Sequence, residues 1–535
     1  MTIMLRRMMF CFLLCLSVFS VDAADTLRPG EQLSLGGRLD SATASYRFQL
    51  QGDGNLVLSQ QPGGTVLWAS ATNGRGGERL VFQTDGNVVL RTATGLAIWS
   101  TATAGKSADR LVMQDDGNLV LYGSNGAAVW ATGTTQQTSV DANTLNGKMM
   151  AGYQGWFNTS GDGSGAGWRH WSPGVTPTAS NISFDMWPDL REYGASELTA
   201  TGFRYKDGRV AGLYSAYNAT TVDRHVQWMR DYGIDGVFVQ RFIGEAILLR
   251  GVRDRVLSNV RSGSERHGRV FANMYDISGG NTATLIANLK SDWMHLVDNQ
   301  RITQSPRYLR HSGRPVLAIW GFGFSDRPGT ASQLKELLRW LNTDAPERYR
   351  ATVVLGIDPN WRSHSSAWRD AYDDAAVISP WTVGRYSDDA GADRWRTDKI
   401  APDLAALNGK GVAYMPVVWP GFSWYNLRDG AAPLNQIPRR GGRFFWRQAY
   451  NATAAGSNMI YVAMYDEVDE GTAMFKIAEN ANQVPNTGRF VTLDADNEAV
   501  PSDRYLWLMG EATRMLRKQR PLSATMPTAR SASAR

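Results

Sequence analysis

Four carboxylates, Asp466, Glu467, Asp469 and Glu470, directly follow the apolar run Met459-Ile460-Tyr461-Val462-Ala463-Met464. The run has the length and content of one buried parallel strand, expected over 459–466. Acids crowded at the end of such a strand are costly, because like charges gather where water is scarce. Alone, the cluster would read as a solvated acidic turn; closing a long series of similar strands, it reads as chemistry. Glycoside cleavage passes through an oxocarbenium-like state and needs one acid for the leaving oxygen and one base or nucleophile. Glu467 and Glu470, just past a strand end, can face one sugar from neighbouring positions. Close approach also drives their pKa values apart, giving one protonated and one ionised group. Glu467 and Glu470 are therefore the expected catalytic pair. Asp466 would orient them or bind a sugar hydroxyl, and Asp469 would face away.

Such a pair needs a scaffold. Strand candidates recur at 148–157, 233–242, 270–276, 315–321, 351–357, 376–381, 412–419 and 459–466, with helical three- and four-residue spacing between them, as at 222–232 and 332–342. Strands alternating with helices over this length predict an α/β TIM barrel across 147–517, its catalytic mouth at the carboxyl ends of the strands. Residues 210–214 are a further strand-like run, assigned to an insertion after the first strand. Reading past each strand end gives the expected substrate-binding set. It comprises Tyr153, Trp156, His170, Trp171, Gln240, Arg241, Tyr275, Asp276, Trp320, Trp381, Trp419, Trp424 and Asp466. Tryptophans gathered with amides and carboxylates suit a polysaccharide or glycan substrate. The histidines show no metal-ligand spacing, and no phosphate loop, dinucleotide fingerprint or nucleophile elbow sits at a strand end, so neither metal nor cofactor is expected.

The segment 25–133 repeats. Gln51-Gly-Asp53-Gly-Asn55-Leu-Val57-Leu-Ser59 returns as Gln83-Thr-Asp85-Gly-Asn87-Val-Val89-Leu-Arg91 and as Gln114-Asp-Asp116-Gly-Asn118-Leu-Val120-Leu-Tyr122. Each copy leads to a tryptophan, Trp68, Trp99 or Trp130, at a constant spacing of 31. Asp-Gly and Gly-Asn steps between alternating apolar runs mark hairpins, so each copy is one small sheet and the three make an all-β three-fold prism. Gln, Asp and Asn offer coplanar donors and acceptors to sugar hydroxyls, and Tyr122 adds a hydroxyl in the third copy. The same Asp, Gly and Asn residues also suit the turns alone. For the first two copies, which carry Ser59 and Arg91 in place of tyrosine, the two readings stand level.

The remaining chain bounds the class. Residues 1–24 run from Arg6-Arg7 through an apolar core to Val21-Asp22-Ala23, the order of a secretory signal peptide, which implies an extracellular or periplasmic protein. Both cysteines lie there, leaving the mature chain without disulfides. No later segment is apolar enough for a membrane span. The net charge of +6 owes part of its excess to a basic tail over 518–535, expected to be disordered, and nothing suggests nucleic-acid binding. Polar, patternless residues 134–146 read as a linker.

Two resemblances add to this reading. The repeats resemble the bulb-type, monocot mannose-binding lectins, whose signature is Gln-x-Asp-x-Asn-x-Val-x-Tyr. The likeness implies a mannose-containing ligand on Gln114, Asp116, Asn118, Val120 and Tyr122, and weaker sites on the other two copies. Tyr465-Asp466-Glu467-Val468-Asp469-Glu470-Gly471-Thr472 resembles the Glu-x-x-Glu-Gly-Thr segment of glycoside hydrolase family 99, the endo-α-mannosidases. Tyr153–Trp156, His170-Trp171 and Tyr232-Gly233-Ile234-Asp235-Gly236 extend that match. Val468-Asp469 stands where the family has Trp-His, and Gln240-Arg241 where it has an acid and Trp. The likeness implies a retaining hydrolase without a covalent enzyme intermediate: Glu467 takes the 2-hydroxyl proton, and Glu470 protonates the departing oxygen and later activates water. The related family 71, α-1,3-glucanases, implies the alternative of an inverting α-glucanase. A secreted lectin with a non-catalytic barrel is the third reading.

Overall fold

The computed structural model describes residues 25–527 except 43, 62–63, 125–126 and 135–138; the signal-peptide segment 1–24 and the tail end 528–535 lie outside the described residues. The chain divides into two compact units within the stretch 135–138.

The first unit is built from three four-stranded antiparallel sheets. Thr26–Leu27 joins Ala108–Met113, Leu119–Gly123 and Ala128–Ala131; Gln32–Ser34 joins Gly77–Phe82, Val88–Thr92 and Ala97–Ser100; Arg38–Asp40 joins Tyr46–Leu50, Leu56–Gln60 and Thr65–Ala69. Each copy thus supplies three strands of a sheet, and the leading segment completes all three. Strand alternation sends Leu58, Leu90 and Leu121 to the shared core, all at 0% exposure. Trp68, Trp99 and Trp130 meet edge to face at centroid distances of 5.7, 5.8 and 6.2 Å, so the period seen in the sequence closes on one aromatic centre.

The second unit is a curled parallel sheet wrapped by helices. Its strands are β1 (Lys148–Tyr153), β2 (Gly236–Phe242), β3 (Val270–Asp276), β4 (Arg314–Phe322), β5 (Thr352–Ile357), β6 (Val377–Pro380), β7 (Ala413–Tyr414), β8 (Val417–Val418) and β9 (Met459–Val462). β1 to β7 pair in chain order, β8 pairs with β9, and β9 pairs in parallel with β1. The expected strand 412–419 is split because Pro416 has no N–H to give the ladder; its two halves serve neighbours on either side. The last strand stops at Val462 rather than 466, and the first at Tyr153 rather than 157, where both chains turn into the site. The run 210–214 pairs antiparallel with Leu198–Arg204 in the insertion after β1. Helices α1 (Ala219–Asp231), α2 (Arg250–His267), α3 (Leu285–Asp298), α4 (Arg443–Ala454) and α5 (Arg504–Leu516) pack outside. Asn218 caps α1 by accepting from the Thr220 and Thr221 amides, and Val222, Val226 and Met229 form its buried stripe.

Two segments expected to be loose are anchored. In the linker 134–146, Val140 donates its N–H to the Gly268 carbonyl (2.8 Å), Ala142 accepts from the Arg310 amide (2.6 Å), and Leu145 is fully buried. Sparse apolar residues without period hide such docking from a sequence. In the tail, Arg520 pairs with Glu511 and lies over the Trp446 ring, whose Nε1 donates to the Ser523 carbonyl at 3.0 Å.

Candidate functional site

The acidic turn after β9 is held by the turn after β1. Asp466 accepts the backbone N–H groups of Gln154 (2.7 Å) and Gly155 (2.9 Å), one on each oxygen. It has no exposed surface, so it ties two loops together rather than reaching a sugar, which corrects its expected substrate-binding role. The Gln154 side chain then donates Nε2–H to Glu467 Oε1 at 2.6 Å, and Thr472 donates its hydroxyl to Glu467 Oε2 at 2.6 Å. Gly471 makes the return possible: its φ is +65°, and a Cβ there would lie 2.7 Å from the Ser423 backbone nitrogen. Glu470 is half-buried, and its carboxylate takes no hydrogen bond from any described residue.

The electrostatics follow from this arrangement. Burial pushes the Asp466 carboxyl up to about 7, partly countered by its two amide bonds. Burial first, then the charge of Asp469, raises Glu467, while its bonds from Thr472 and Gln154 pull it back toward ionisation. Glu470 is raised well above the carboxylate range by burial, then by Glu467 and Asp469, and nothing bonds its ionised form. The pair is therefore asymmetric: Glu467 has two donors that favour a carboxylate, whereas Glu470 takes no hydrogen bond from a described residue and is pulled toward ionisation only by the charge of Arg327. Asp469 does not face away. It is 2% exposed, its Oδ2 lies 3.4 Å from His170 Nδ1, and burial raises its carboxyl too.

Beside the acids, His170 lies flat on Trp156, with ring centroids 3.8 Å apart and planes within 6°. Its own φ is +61°, a left-handed conformation for a non-glycine residue, and burial lowers its pKa to about 3. Gln240 donates to the Tyr461 hydroxyl at 3.0 Å. Asp276, raised to about 6 by burial, Trp320 and Trp381 line the same interior, with the two indoles 5.3 Å apart. Arg327 extends over Trp320 at 5.5 Å and draws Glu470 and Asp276 back toward the ionised form. Trp424 is half-buried on the loop after β8, 5.1 Å from Phe422.

Five expected substrate contacts are structural instead. Tyr153 is fully buried, with its hydroxyl 2.9 Å from His225 Nδ1 on α1. Arg241 binds Asp292 (2.5 and 2.8 Å) and Asp254 (2.9 Å), and Tyr275 donates to Asp292 at 2.8 Å. Trp171 is buried and donates to the Tyr214 carbonyl at 2.9 Å; Trp419 is buried against Phe444 and Tyr386. For those on strands the reason is parity. Successive side chains alternate between the inside of the curled sheet and its helix-covered outside, so Gln154 and Gln240 face in while Tyr153 and Arg241 face out. Thr472, Arg327 and Tyr461 are contacts that the expected set lacks; Thr472 was signalled by its place beside Gly471.

On the first unit, one atom of each key residue builds the turn. Asp53, Asp85 and Asp116 accept the N–H of Asn55, Asn87 and Asn118 at 3.0, 2.9 and 2.9 Å. The Asn Oδ1 atoms accept the hydroxyls of Ser70, Thr101 and Thr132 at 3.0, 3.1 and 3.0 Å. Their Nδ2 amides take no partner among the described residues, so turn-making leaves a donor on every copy. In the third copy Gln114 donates to the Tyr122 hydroxyl at 2.7 Å, and alternation places Asn118, Val120 and Tyr122 on one face. Gln51 and Gln83 occupy the matching places in the other two.

No family model and no curated protein matches the chain. Among solved structures, the endo-α-mannosidase of glycoside hydrolase family 99 from Bacteroides thetaiotaomicron is similar, with TM-score 0.53 and 14% identity, over 70% of this chain and 99% of that one. The mannose-specific agglutinin from snowdrop (Galanthus nivalis) bulbs is 37% identical over 21% of this chain and 96% of that one, with TM-score 0.17. The Marasmius oreades lectin is 35% identical over 21% of this chain and 92% of that one, with TM-score 0.20. Among the described residues no helix is long and apolar enough to cross a membrane. Over 70% of its length the chain therefore has the fold of the family 99 endo-α-mannosidase.

Proposed function

We propose that this protein is a secreted glycoside hydrolase that cleaves α-mannosidic linkages in mannan or mannose-rich glycans. In this reading the parallel sheet is a closed (β/α)8 barrel and the first unit a β-prism that holds the polymer. The observation that carries it is the unlike environment of two neighbouring acids: Glu467 bonded on both oxygens by Gln154 and Thr472, and Glu470 without a donor among the described residues. Glu470 gives its proton to the leaving oxygen. Glu467 removes the proton of the axial 2-hydroxyl, which stands trans to the leaving group and displaces it from behind. Glu470, then ionised, activates the water that opens the resulting ring. Trp320 beside Trp381 gives the interior apolar ring surface on which a sugar can pack. The prism raises the local concentration of polymer at the cleft. Export rests on the basic, apolar and small-residue order of residues 1–24.

The test is incubation with yeast α-mannan and, separately, α-1,3-glucan, with proton NMR of the first product formed. Oligosaccharides from mannan with an α-anomer are the expected result. Release from glucan alone with a β-anomer would transfer the assignment to an inverting α-glucanase, because an α-glucoside has its 2-hydroxyl cis to the leaving group. No release from either would leave the barrel without this activity.

A further inference from the structure

The three copies of the first unit differ most in the row of side chains running across each sheet at the tyrosine position. In the first copy the row reads Asp40, Arg47, Ser59: Asp40 lies opposite Arg47, which lies opposite Ser59. Arg47 is neutralised there, with Nε 2.7 Å and a second nitrogen 3.2 Å from the Asp40 carboxylate. In the third copy Arg110 lies opposite Tyr122, stacks on its ring at 4.8 Å and pairs with Asp109 at 2.9 Å. The second copy departs from both. Its row reads Ser34, Arg79, Arg91: serine replaces the aspartate, and a second arginine replaces serine or tyrosine.

Two guanidinium groups therefore stand directly opposite each other on neighbouring strands, and neither makes an ion pair with a described residue. Arg79 makes no hydrogen bond or ion pair with any described residue. Arg91 makes one hydrogen bond, from a terminal nitrogen to the Gly95 carbonyl at 2.8 Å. Like charges placed directly across a sheet are destabilising. Both side chains are half-buried, which withholds part of the water that would soften the repulsion. The two positions share the face of Val81 and Val89, and that face continues to Gln83 and Asn87 at the sugar end of the copy. Arg79 keeps its full fork of donors and Arg91 all but one, the geometry that grips an anionic oxygen group from two sides.

We propose that the second copy is a binding site for an anionic hexose, in which Arg79 and Arg91 hold an exocyclic phosphate, sulfate or carboxylate while Gln83 and Asn87 meet the ring hydroxyls. This rests on reading the first unit as sugar-binding and adds a ligand class to it. The protein then holds glycans through two unlike sites, a neutral one on the third copy and a charge-reading one on the second.

The test is calorimetric titration of the full chain with methyl α-mannoside, mannose 6-phosphate, mannose 6-sulfate, a hexuronate and inorganic phosphate. The expected result is at least one anionic sugar bound about tenfold more tightly than the neutral mannoside in low salt, with the advantage closing toward 1 M salt, where the Debye length falls to about 3 Å. Which anionic sugar leads identifies the anionic group. The double variant Arg79→Ser with Arg91→Tyr, which rebuilds the neutral pattern, should lose that advantage and keep the neutral mannoside. An advantage that survives the double variant overturns the proposal. So does a wild-type protein that binds every anionic sugar no better than the neutral one, or no better than inorganic phosphate, which would mean an adventitious ion only. Failure of the neutral mannoside with anionic binding intact would instead strike the lectin reading of the third copy. If the double variant does not fold, Arg91→Tyr alone tests the same advantage.

Discussion

Replacing Gln154 by Met removes one of the two donors that hold Glu467 as a carboxylate and leaves the backbone amide that binds Asp466 in place. The lost bond, 2.6 Å from Nε2 to Oε1, ends on a charged acceptor. Bonds of that kind contribute about 1.5–3 kcal/mol, and 1.36 kcal/mol corresponds to about one pKa unit. The Glu467 pKa should therefore rise by about one to two units. The sign is determined by its role: the ionised carboxylate is the active form, so raising its pKa moves the acid limb of the kcat/KM profile to higher pH. Below that limb the variant should run about tenfold to a hundredfold slower than wild type, with the difference shrinking as pH rises. The alkaline limb belongs to Glu470, which Gln154 does not touch, and should stay in place. Thr472→Val removes the bond to the other oxygen and should shift the same limb the same way. The assay is a pH profile on mannan or an aryl α-mannoside. An unmoved acid limb in both variants, or movement of the alkaline limb alone, would refute the assignment of base and acid.

Further outcomes can be measured. Glu470→Gln should slow natural glycan cleavage by about 10²–10⁴ and be partly rescued on a glycosyl fluoride, whose leaving group needs little protonation; Glu467→Gln should not be rescued. Arg241→Ala leaves Asp292 buried without its hydrogen-bonded cation and should cost about 3–5 kcal/mol in denaturant unfolding, where a substrate-contacting arginine would alter KM with stability intact. Asp466 keeps its proton in the folded chain up to about pH 7, whereas the unfolded chain loses it near 3.8; its contribution favours folding in acid and is lost as pH climbs through 7, so Asp466→Asn should flatten the fall in melting temperature between pH 5 and 8. Changing Asp116 and Asn118 to Ala should abolish retention on a mannose column, polar sugar contacts contributing about 1–2 kcal/mol each, and leave hydrolysis of small substrates unchanged.

The sequence by itself determined everything whose signal is local. The 31-residue period implies three equivalent sheets, because each Asp-Gly or Gly-Asn step turns the chain and each tryptophan needs two others to bury its ring. The apolar runs named β2 and β3 nearly to the residue, and Glu467 and Glu470 stood out because acids at the end of a buried strand need a reason. What no local signal carries is phase and partnership. A strand alternates visibly, but whether Gln240 or Arg241 looks inward depends on Asp292 waiting on α3 and Tyr461 waiting on β9. Asp466, Asp469 and Glu467 differ in role only because amides from the turn after β1, a histidine from the insertion and a threonine beyond Gly471 arrive at different oxygens. Likewise, Arg79 is neutralised or left bare according to whether Asp or Ser lies across the sheet from it, a fact of register. Burial makes these choices energetic: once water is excluded, a carboxylate's charge is set by the donors that reach it, and only the folded chain determines which do.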